Sequence, residues 1–159
     1  LFSLYTCGMS LIDIAYLKKS DIHDGYITYC RHKTGQRILI RWEPCMQQLA
    51  DKYQTDQSPY LFPIITHPGK DELLQYRNKS HFINKHLKRL GERLHFSSTL
   101  TSYVARHSWA SIAKSLEVPV SAISEAMGHT SERTTRIYLK SFENTVVDRA
   151  NKKVLSTIA

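Results

Sequence analysis

Cysteine is scarce in this sequence, and its spacing excludes two common uses. Cys7, Cys30 and Cys45 are the three cysteines, an odd number, and none belongs to a Cys-x-x-Cys pair. This usage argues against a disulfide framework and a zinc ribbon, and it fits a reducing cytoplasm. The eight histidines form no ligand set either. We therefore predict a cytoplasmic protein with no structural metal and no cofactor.

Long apolar runs are also missing. No stretch is long enough to cross a bilayer, and no basic segment followed by an apolar one marks a signal peptide. The sequence contains no internal repeat and no low-complexity segment. Residues 1–5 are apolar with no helix cap before them, which predicts a helix already under way. We expect residues 1–159 to form a single domain, as a fragment of a longer protein.

Acidic residues are outnumbered. The 22 Lys and Arg face 14 Asp and Glu, which gives a formal net charge of +8. A surface this basic attracts polyanions, and nucleic acid is the commonest partner of that kind. Charge alone does not separate a nucleic-acid-binding protein from a merely basic one.

Helical patterns dominate the chain, and strand patterns are few. A hairpin with a basic tip is predicted from strands at 26–32 and 37–42, and the short segment 60–62, stopped by Pro63, is a candidate third strand. The pattern predicts an α+β domain, mainly α-helical with a small antiparallel sheet of about three strands. The predicted helices span residues 10–17, 44–53, 76–94, 99 or 101 to 116, 119–128, 131–139 and 146–154.

Three blocks near the end of the chain carry the functional signal. They are TSYVARHSWA at 101–110, MGHT at 127–130 and TTRIY at 134–138. Their order resembles the C-terminal motif of the tyrosine recombinases, or phage integrase family: His-x-x-Arg-His, then Leu-Gly-His, then Thr-Thr-x-x-Tyr. The Gly-His pair lies nine residues before the tyrosine, as that family has it. Residues 5–13 resemble the family's Thr-Gly-Leu-Arg-Ile-Ser-Glu block, so the resemblance spans nearly the whole chain.

The resemblance implies the tyrosine recombinase catalytic-domain fold and site-specific DNA recombination or integration. Tyr138 would attack double-stranded DNA and become joined to the 3′ phosphate. Arg106 would clamp the phosphate, since a guanidinium bonds two oxygens at once, and His129 would hydrogen-bond it. Lys33, on the hairpin turn, would protonate the leaving 5′ oxygen. These residue types suit the chemistry, because an anionic phosphodiester needs positive charge, an activated hydroxyl and a proton donor.

Each of these residues also has a purely structural interpretation. Arg106 and Lys33 are also explained as solvated side chains, His129 as a helix-end residue and Tyr138 as core. The order and spacing of the blocks favour the site. Two further arginines, Arg31 and Arg37, flank the hairpin lysine and are predicted to track the DNA backbone.

Two positions depart from the family pattern. Ser10 stands where the family has its first arginine, and residues 1–17 contain no arginine or lysine. Ser10 is predicted to cap a helix, so another cation reaches the site, one arginine suffices, or activity is reduced. Tyr103 stands where the family usually has histidine, and either helix packing or a hydrogen bond to phosphate explains it. Integrases of some bacterial mobile elements resemble this chain in both respects.

Two other functions remain open at this point. The departures also fit a DNA-binding module that has lost catalysis, and a type IB topoisomerase shares the chemistry. The apolar face at 146–154 predicts a helix that either packs on its own domain or passes to a neighbouring protomer in a tetramer on DNA. The resemblance also implies a separate N-terminal DNA-binding domain, which we expect to lie outside this fragment. No membrane partner is expected.

Overall fold

The computed structural model describes residues 1–53, 58–140 and 155–156. One three-stranded antiparallel sheet has the order β1-β2-β3, formed by β1 (Ile22–His23), β2 (Tyr26–Cys30) and β3 (Arg37–Arg41). The main helices are α1 (Phe2–Tyr5), α2 (Leu11–Tyr16), α3 (Pro44–Tyr53), α4 (Glu72–Arg93), α5 (Val104–Ser115), α6 (Val120–Ala126) and α7 (Glu132–Lys140). The predicted class, mainly helical with a small antiparallel sheet, is confirmed.

The cap of α2 forms as the sequence predicts. The Ser10 side chain accepts a hydrogen bond from the backbone N of Asp13 and donates one to its carboxylate, with Oγ 2.5 Å from Oδ2. The predicted extent of α3, which begins at Pro44, is also confirmed. Proline suits a first helical turn because no N–H is needed there.

The third strand is β1, and the prediction of a strand at 60–62 was wrong. Tyr60 makes only an isolated bridge to Lys18, because the prolines on either side of this segment have no N–H to extend a ladder. β1 pairs with β2 through a two-residue turn, in which Asp24 and Gly25 have φ of 52° and 78°. Two consecutive positive φ values are the requirement of a type I′ hairpin.

Two predicted helix starts were also wrong. α4 begins at Glu72, earlier than expected, because the carboxylate of Asp71 accepts from the backbone N of Leu74 at 3.0 Å. α5 begins at Val104, and neither Thr99 nor Thr101 caps it. The backbone N of Ser102 instead donates to the Asn84 side chain on α4 at 2.8 Å. This tertiary contact fixes the entry to α5, and sequence periodicity carries no sign of it.

Two large apolar clusters and a small third one, formed by Ala15, Tyr60 and Ile65, make up the core. The first joins α1–α3 to the sheet, and the second lies between α5, α6 and α7. They meet where α5 contacts α1 and α6 contacts β3. No helix within the described ranges combines the length and apolarity needed to cross a bilayer. The predicted helix at 146–154 lies outside the described residues.

Candidate active site

Arg106 lies at the seam between the two large clusters and is only 2% exposed. Its Nη1 donates to the carbonyl oxygen of Gly8 at 2.8 Å, and its Nη2 donates to that of Met127 at 2.6 Å. Neither acceptor carries a formal charge, and no ion pair within the described ranges includes this guanidinium. Burial lowers the pKa of Arg106, and the charge of Arg31 lowers it further. A buried cation with no protein anion beside it is suited to bind an anionic ligand.

The Gly8 backbone fits closely against this arginine. Gly8 has φ +76°, and a Cβ there would lie 2.9 Å from Arg106 Cγ and 3.0 Å from its Cα. A larger residue would therefore push the guanidinium away from its carbonyl partner. The carbonyl oxygen of Gly8, in the N-terminal block, thus fixes the side chain of Arg106, which lies 98 positions later in the chain.

His129 follows the glycine that ends α6. Gly128 has φ +61°, and the backbone N of His129 donates to Ser124 O at 2.9 Å, which is the expected C-terminal cap. The imidazole Nε2 lies 3.2 Å from Arg106 Nη2, and Nδ1 lies 2.8 Å from Thr135 Oγ1. Burial, then the charges of Arg106, Arg31 and Lys33, lower the pKa of His129 to about 4. The ring is therefore neutral near pH 7.

Tyr138 is half-buried on α7 beside these two residues. Its ring stacks on His107, with centroids 5.0 Å apart and an interplanar angle of 7°, and it meets His129 edge-on at 5.7 Å. Burial raises the pKa of the Tyr138 phenol, and so does its electrostatic interaction with Tyr103. The phenol is protonated at neutral pH, so a reaction at its oxygen must include loss of that proton.

Tyr103 faces Tyr138 and does not pack into the core. It is 49% exposed, helps to raise the pKa of the Tyr138 phenol, and sets its ring edge-on to His107 with centroids 4.6 Å apart. Of the two interpretations open from the sequence, this placement supports a position in the site. No role was predicted for His107 beyond its place in the motif. Its spacing of four residues from Tyr103 could have indicated that the two side chains lie on one face of a helix.

The β2–β3 turn docks on the Gly128–His129 turn and so approaches the site. Thr34 Oγ1 donates to Gly128 O at 3.3 Å, and Gln36 Nε2 donates to His129 O at 3.2 Å. Lys33 lies exposed at the tip, near enough for its charge to lower the pKa of His129. The hairpin lysine therefore lies within electrostatic range of His129, and its role in the site stays a prediction.

Arg31 lies elsewhere than the sequence indicated. It is 7% exposed, and its Nη1 donates to Gly128 O at 2.6 Å. A buried side chain cannot track the DNA backbone from the outside of a hairpin. β2 ends at Cys30, and the side chain that follows it, Arg31, is buried. Arg37, the other flanking arginine, is exposed at the start of β3 and stays outside the cluster.

Comparison with known proteins identifies the family. Residues 2–145 match the model of the phage integrase family. The chain belongs to the phage integrase family. It is 28% identical to tyrosine recombinase XerA of Pyrococcus furiosus over 156 residues, covering 93% of this chain and 52% of that protein. It is 30% identical to XerA of Thermococcus kodakarensis over 144 residues, covering 86% of this chain and 48% of that protein.

A solved structure shows the same fold. XerH site-specific recombinase, bound to palindromic difH substrate in a post-cleavage complex, aligns with a TM-score of 0.64. The sequence identity is 18%, and the alignment covers 93% of this chain and 42% of that chain. This chain spans about half the length of the curated relatives it matches.

The sequence resemblance places Ser10 at the position of the family's first arginine. The Ser10 hydroxyl makes the hydrogen bonds that cap α2, and both of these bonds are with Asp13 of the same helix. A cavity of about 130 Å³ opens beside it, lined in part by Tyr103 and Arg106. Arg31 brings a second guanidinium close to the site from the β2–β3 hairpin. Its charge lowers the pKa of both Arg106 and His129.

A basic helix surface was missed in the sequence. α4 carries six Lys and Arg against two Glu over 22 residues. All six basic side chains are exposed: Arg77, Lys79, Lys85, Lys88, Arg89 and Arg93. The spacing of these residues along the predicted helix could have indicated a basic surface. Within the described ranges, no group of three or more His, Cys, Asp and Glu is arranged to hold a metal ion.

Proposed function

We propose that this chain is the catalytic domain of a tyrosine recombinase that cleaves and rejoins double-stranded DNA through a covalent 3′-phosphotyrosyl intermediate. The observation that carries the proposal is the convergence of three side chains. Arg106 and His129 lie 3.2 Å apart, and the Tyr138 ring meets the His129 ring edge-on. No protein carboxylate neutralises Arg106 within the described ranges, so a phosphate would complete the site.

The reaction follows from where each group lies. Tyr138 Oη attacks phosphorus and gives its proton to water, and the bond from phosphorus to the 5′ oxygen breaks. Lys33 gives the 5′ oxygen a proton, while Arg106 stabilises the negative charge on the non-bridging oxygens. The phosphotyrosyl ester retains the energy of the broken bond, so the reverse attack rejoins the strand without ATP.

Arg31 supplies the second positive charge in this proposal. Transfer of a phosphoryl group concentrates negative charge on the non-bridging oxygens, and two guanidinium groups stabilise it better than one. The hydrogen bond from Nη1 of Arg31 to Gly128 O at 2.6 Å holds this cation beside His129. The family's first arginine is thus replaced from the hairpin, and Ser10 is free to act as a cap.

The remaining expectations concern partners and setting. The exposed basic side chains of α4 would lie along the DNA backbone, where Lys and Arg contribute sequence-independent affinity. A separate N-terminal domain would complete the grip on DNA. The segment after Ser141, most of which lies outside the described residues, would link protomers into a tetramer. The protein would act in the cytoplasm and, as its departures from the family suggest, belong to a bacterial mobile element.

The test is covalent trapping by the full-length protein. A DNA substrate nicked beside the cleavage site loses a short fragment and cannot be rejoined, so the adduct accumulates. We expect the unmodified protein to form it and Tyr138→Phe to form none while still binding DNA. Tyr26→Phe, a matched change at an exposed tyrosine of β2, should form it normally. An adduct that survives in Tyr138→Phe would overturn the proposal.

A second candidate function rests on Ser10. The lack of an arginine there favours a DNA-binding module of reduced catalytic activity. It predicts that the unmodified protein binds DNA with the same site preference and traps no adduct. Relaxation of a supercoiled plasmid by the protein alone, with no exchange between two duplexes, would instead favour a type IB topoisomerase.

A further inference from the structure

The buried hydroxyl of Thr135 is the starting point. Thr135 is 0% exposed on α7, and its Oγ1 lies 2.8 Å from Nδ1 of His129. It sits next to Thr134, which has the same side chain but is exposed and bonds Ser131 instead, at 3.1 Å. One of two adjacent threonines is thus directed at the candidate phosphate-binding histidine.

The neighbours of His129 fix which ring nitrogen carries the proton. Arg106 Nη2 lies 3.2 Å from Nε2, and a guanidinium only donates hydrogen bonds. Nε2 must therefore accept, so in the neutral ring the proton sits on Nδ1, which donates to Thr135 Oγ1. Binding of a phosphate asks for the opposite arrangement, because a phosphate oxygen only accepts and needs Nε2–H.

We propose that Thr135 is a positioning residue that permits His129 to exchange tautomers when the DNA phosphate arrives. The inference rests on the function proposed above. In the exchange, Nδ1 releases one proton to solvent and Nε2 takes one up, so the ring stays neutral. The threonine hydroxyl then turns from accepting to donating, and Nδ1 keeps a partner in both states.

A hydroxyl suits this task for a specific reason. A carbonyl or carboxylate at the same place would accept only, and would hold the proton on Nδ1 permanently. An ammonium would donate only, and would disfavour the free form of the site. A hydroxyl rotates to serve both forms, and because Thr135 is buried, loss of its hydrogen bond to His129 costs free energy.

Three variants test the role of the Thr135 hydroxyl. Thr135→Val keeps the shape and removes the hydroxyl, Thr135→Ser keeps the hydroxyl, and Thr134→Val makes the same change one residue away. With the nicked substrate in single turnover, we expect adduct formation by Thr135→Val to slow by about tenfold or more, as loss of a buried hydrogen bond implies. Thr135→Ser and Thr134→Val should remain within about twofold of the unmodified protein on the same grounds.

A second substrate separates positioning at the phosphate from help to the leaving group. Sulfur in place of the bridging 5′ oxygen leaves without a proton, so it should restore cleavage by Lys33→Ala. It should not restore cleavage by Thr135→Val, because His129 acts on a non-bridging oxygen. Rescue of Thr135→Val by sulfur, or equal rates for Thr135→Val and Thr134→Val, would overturn the proposal.

Nitrogen-15 spectra of the histidine side chains give a readout that does not depend on cleavage. Without DNA, Nδ1 of His129 should be the protonated nitrogen, and Thr135→Val should shift its signal while Thr134→Val should not. If the unmodified protein traps no adduct, the proposed function fails, and these spectra alone decide on Thr135. An unchanged His129 signal in Thr135→Val would then reject the inference.

Discussion

Two guanidinium groups are buried within one small site. Arg106 and Arg31 are 2% and 7% exposed, and their described hydrogen-bond acceptors are carbonyl oxygens and His129 Nε2. Nε of each has no hydrogen-bond partner within the described ranges. Burial of like charges opposes folding, so this arrangement costs stability unless an anion is bound. That cost is expected where charge is placed for binding.

The function of Arg31 is therefore separable from its effect on stability. We expect Arg31→Met to leave the fold intact, because methionine fills the site and removes a buried charge. Adduct formation should slow by about tenfold or more, since one source of positive charge is lost. Arg41→Met, at an exposed arginine at the end of β3, is the matched control. Equal single-turnover rates for the two variants would contradict the assignment of Arg31 to the site.

The pKa of His129 makes stability depend on pH. It is lowered to about 4 from an ordinary value of 6.5. Between these values the unfolded chain binds more protons than the folded one, so stability is complete above pH 6.5 and falls as pH drops. Urea unfolding at several pH values should show a smaller fall for His129→Gln than for the unmodified protein. Parallel curves for the two proteins over this window would show that the folded state does not disfavour protonation of His129.

At the scale of elements, the contact between the β2–β3 hairpin and the α6–α7 turn assembles the site. It brings Lys33 and Arg31 to His129 through bonds to the Gly128 and His129 carbonyls. A Cβ at Gly128 would lie 2.6 Å from Ile38 Cδ1 and 3.0 Å from Arg31 Cδ. The absence of a side chain at Gly128 is therefore required by hairpin docking as well as by its positive φ.

Two glycines in this region allow the effect of backbone strain on stability to be measured separately from the effect of close packing. Gly128 and Gly35 have φ of +61° and +68°, but a Cβ at Gly35 would meet nothing within 4 Å. Gly35→Ala should lose about 1–2 kcal/mol of stability from strain alone. Gly128→Ala should lose about 1–3 kcal/mol more, because the hairpin must shift. The measurement is urea unfolding at pH 7, and equal losses would mean that the hairpin does not pack tightly on this turn.

Local signals in the sequence were enough to predict some elements. The Ser10 cap and the Gly128 helix end depend on neighbours within four residues, and both form as predicted. The α5 start depends on a bond from Asn84, and the burial of Arg31 depends on a carbonyl 97 residues away. Long-range contacts of this kind leave no periodic trace. The motif spacing indicated the cluster of candidate residues but not the route by which a second arginine enters it.

For the whole molecule, the distribution of charge and its burial agree with the proposed reaction on DNA. The net charge of +8 includes an excess of four on the exposed helix α4 and two buried arginines at the seam between the core clusters. Exposed basic residues favour a polyanion along one surface, while buried ones favour a single phosphate at one point. The central claim is that this phosphate is transferred to Tyr138.

Mapping the adduct tests that claim most directly. The full-length protein would be trapped on the nicked substrate in excess EDTA, digested with protease and nuclease, and analysed by mass spectrometry. We expect a nucleotide linked through its 3′ phosphate to Tyr138, formed without a divalent ion, since side chains supply the positive charge. A nucleotide on another residue, a 5′ linkage, or an adduct that forms only when a divalent ion is restored would contradict the account.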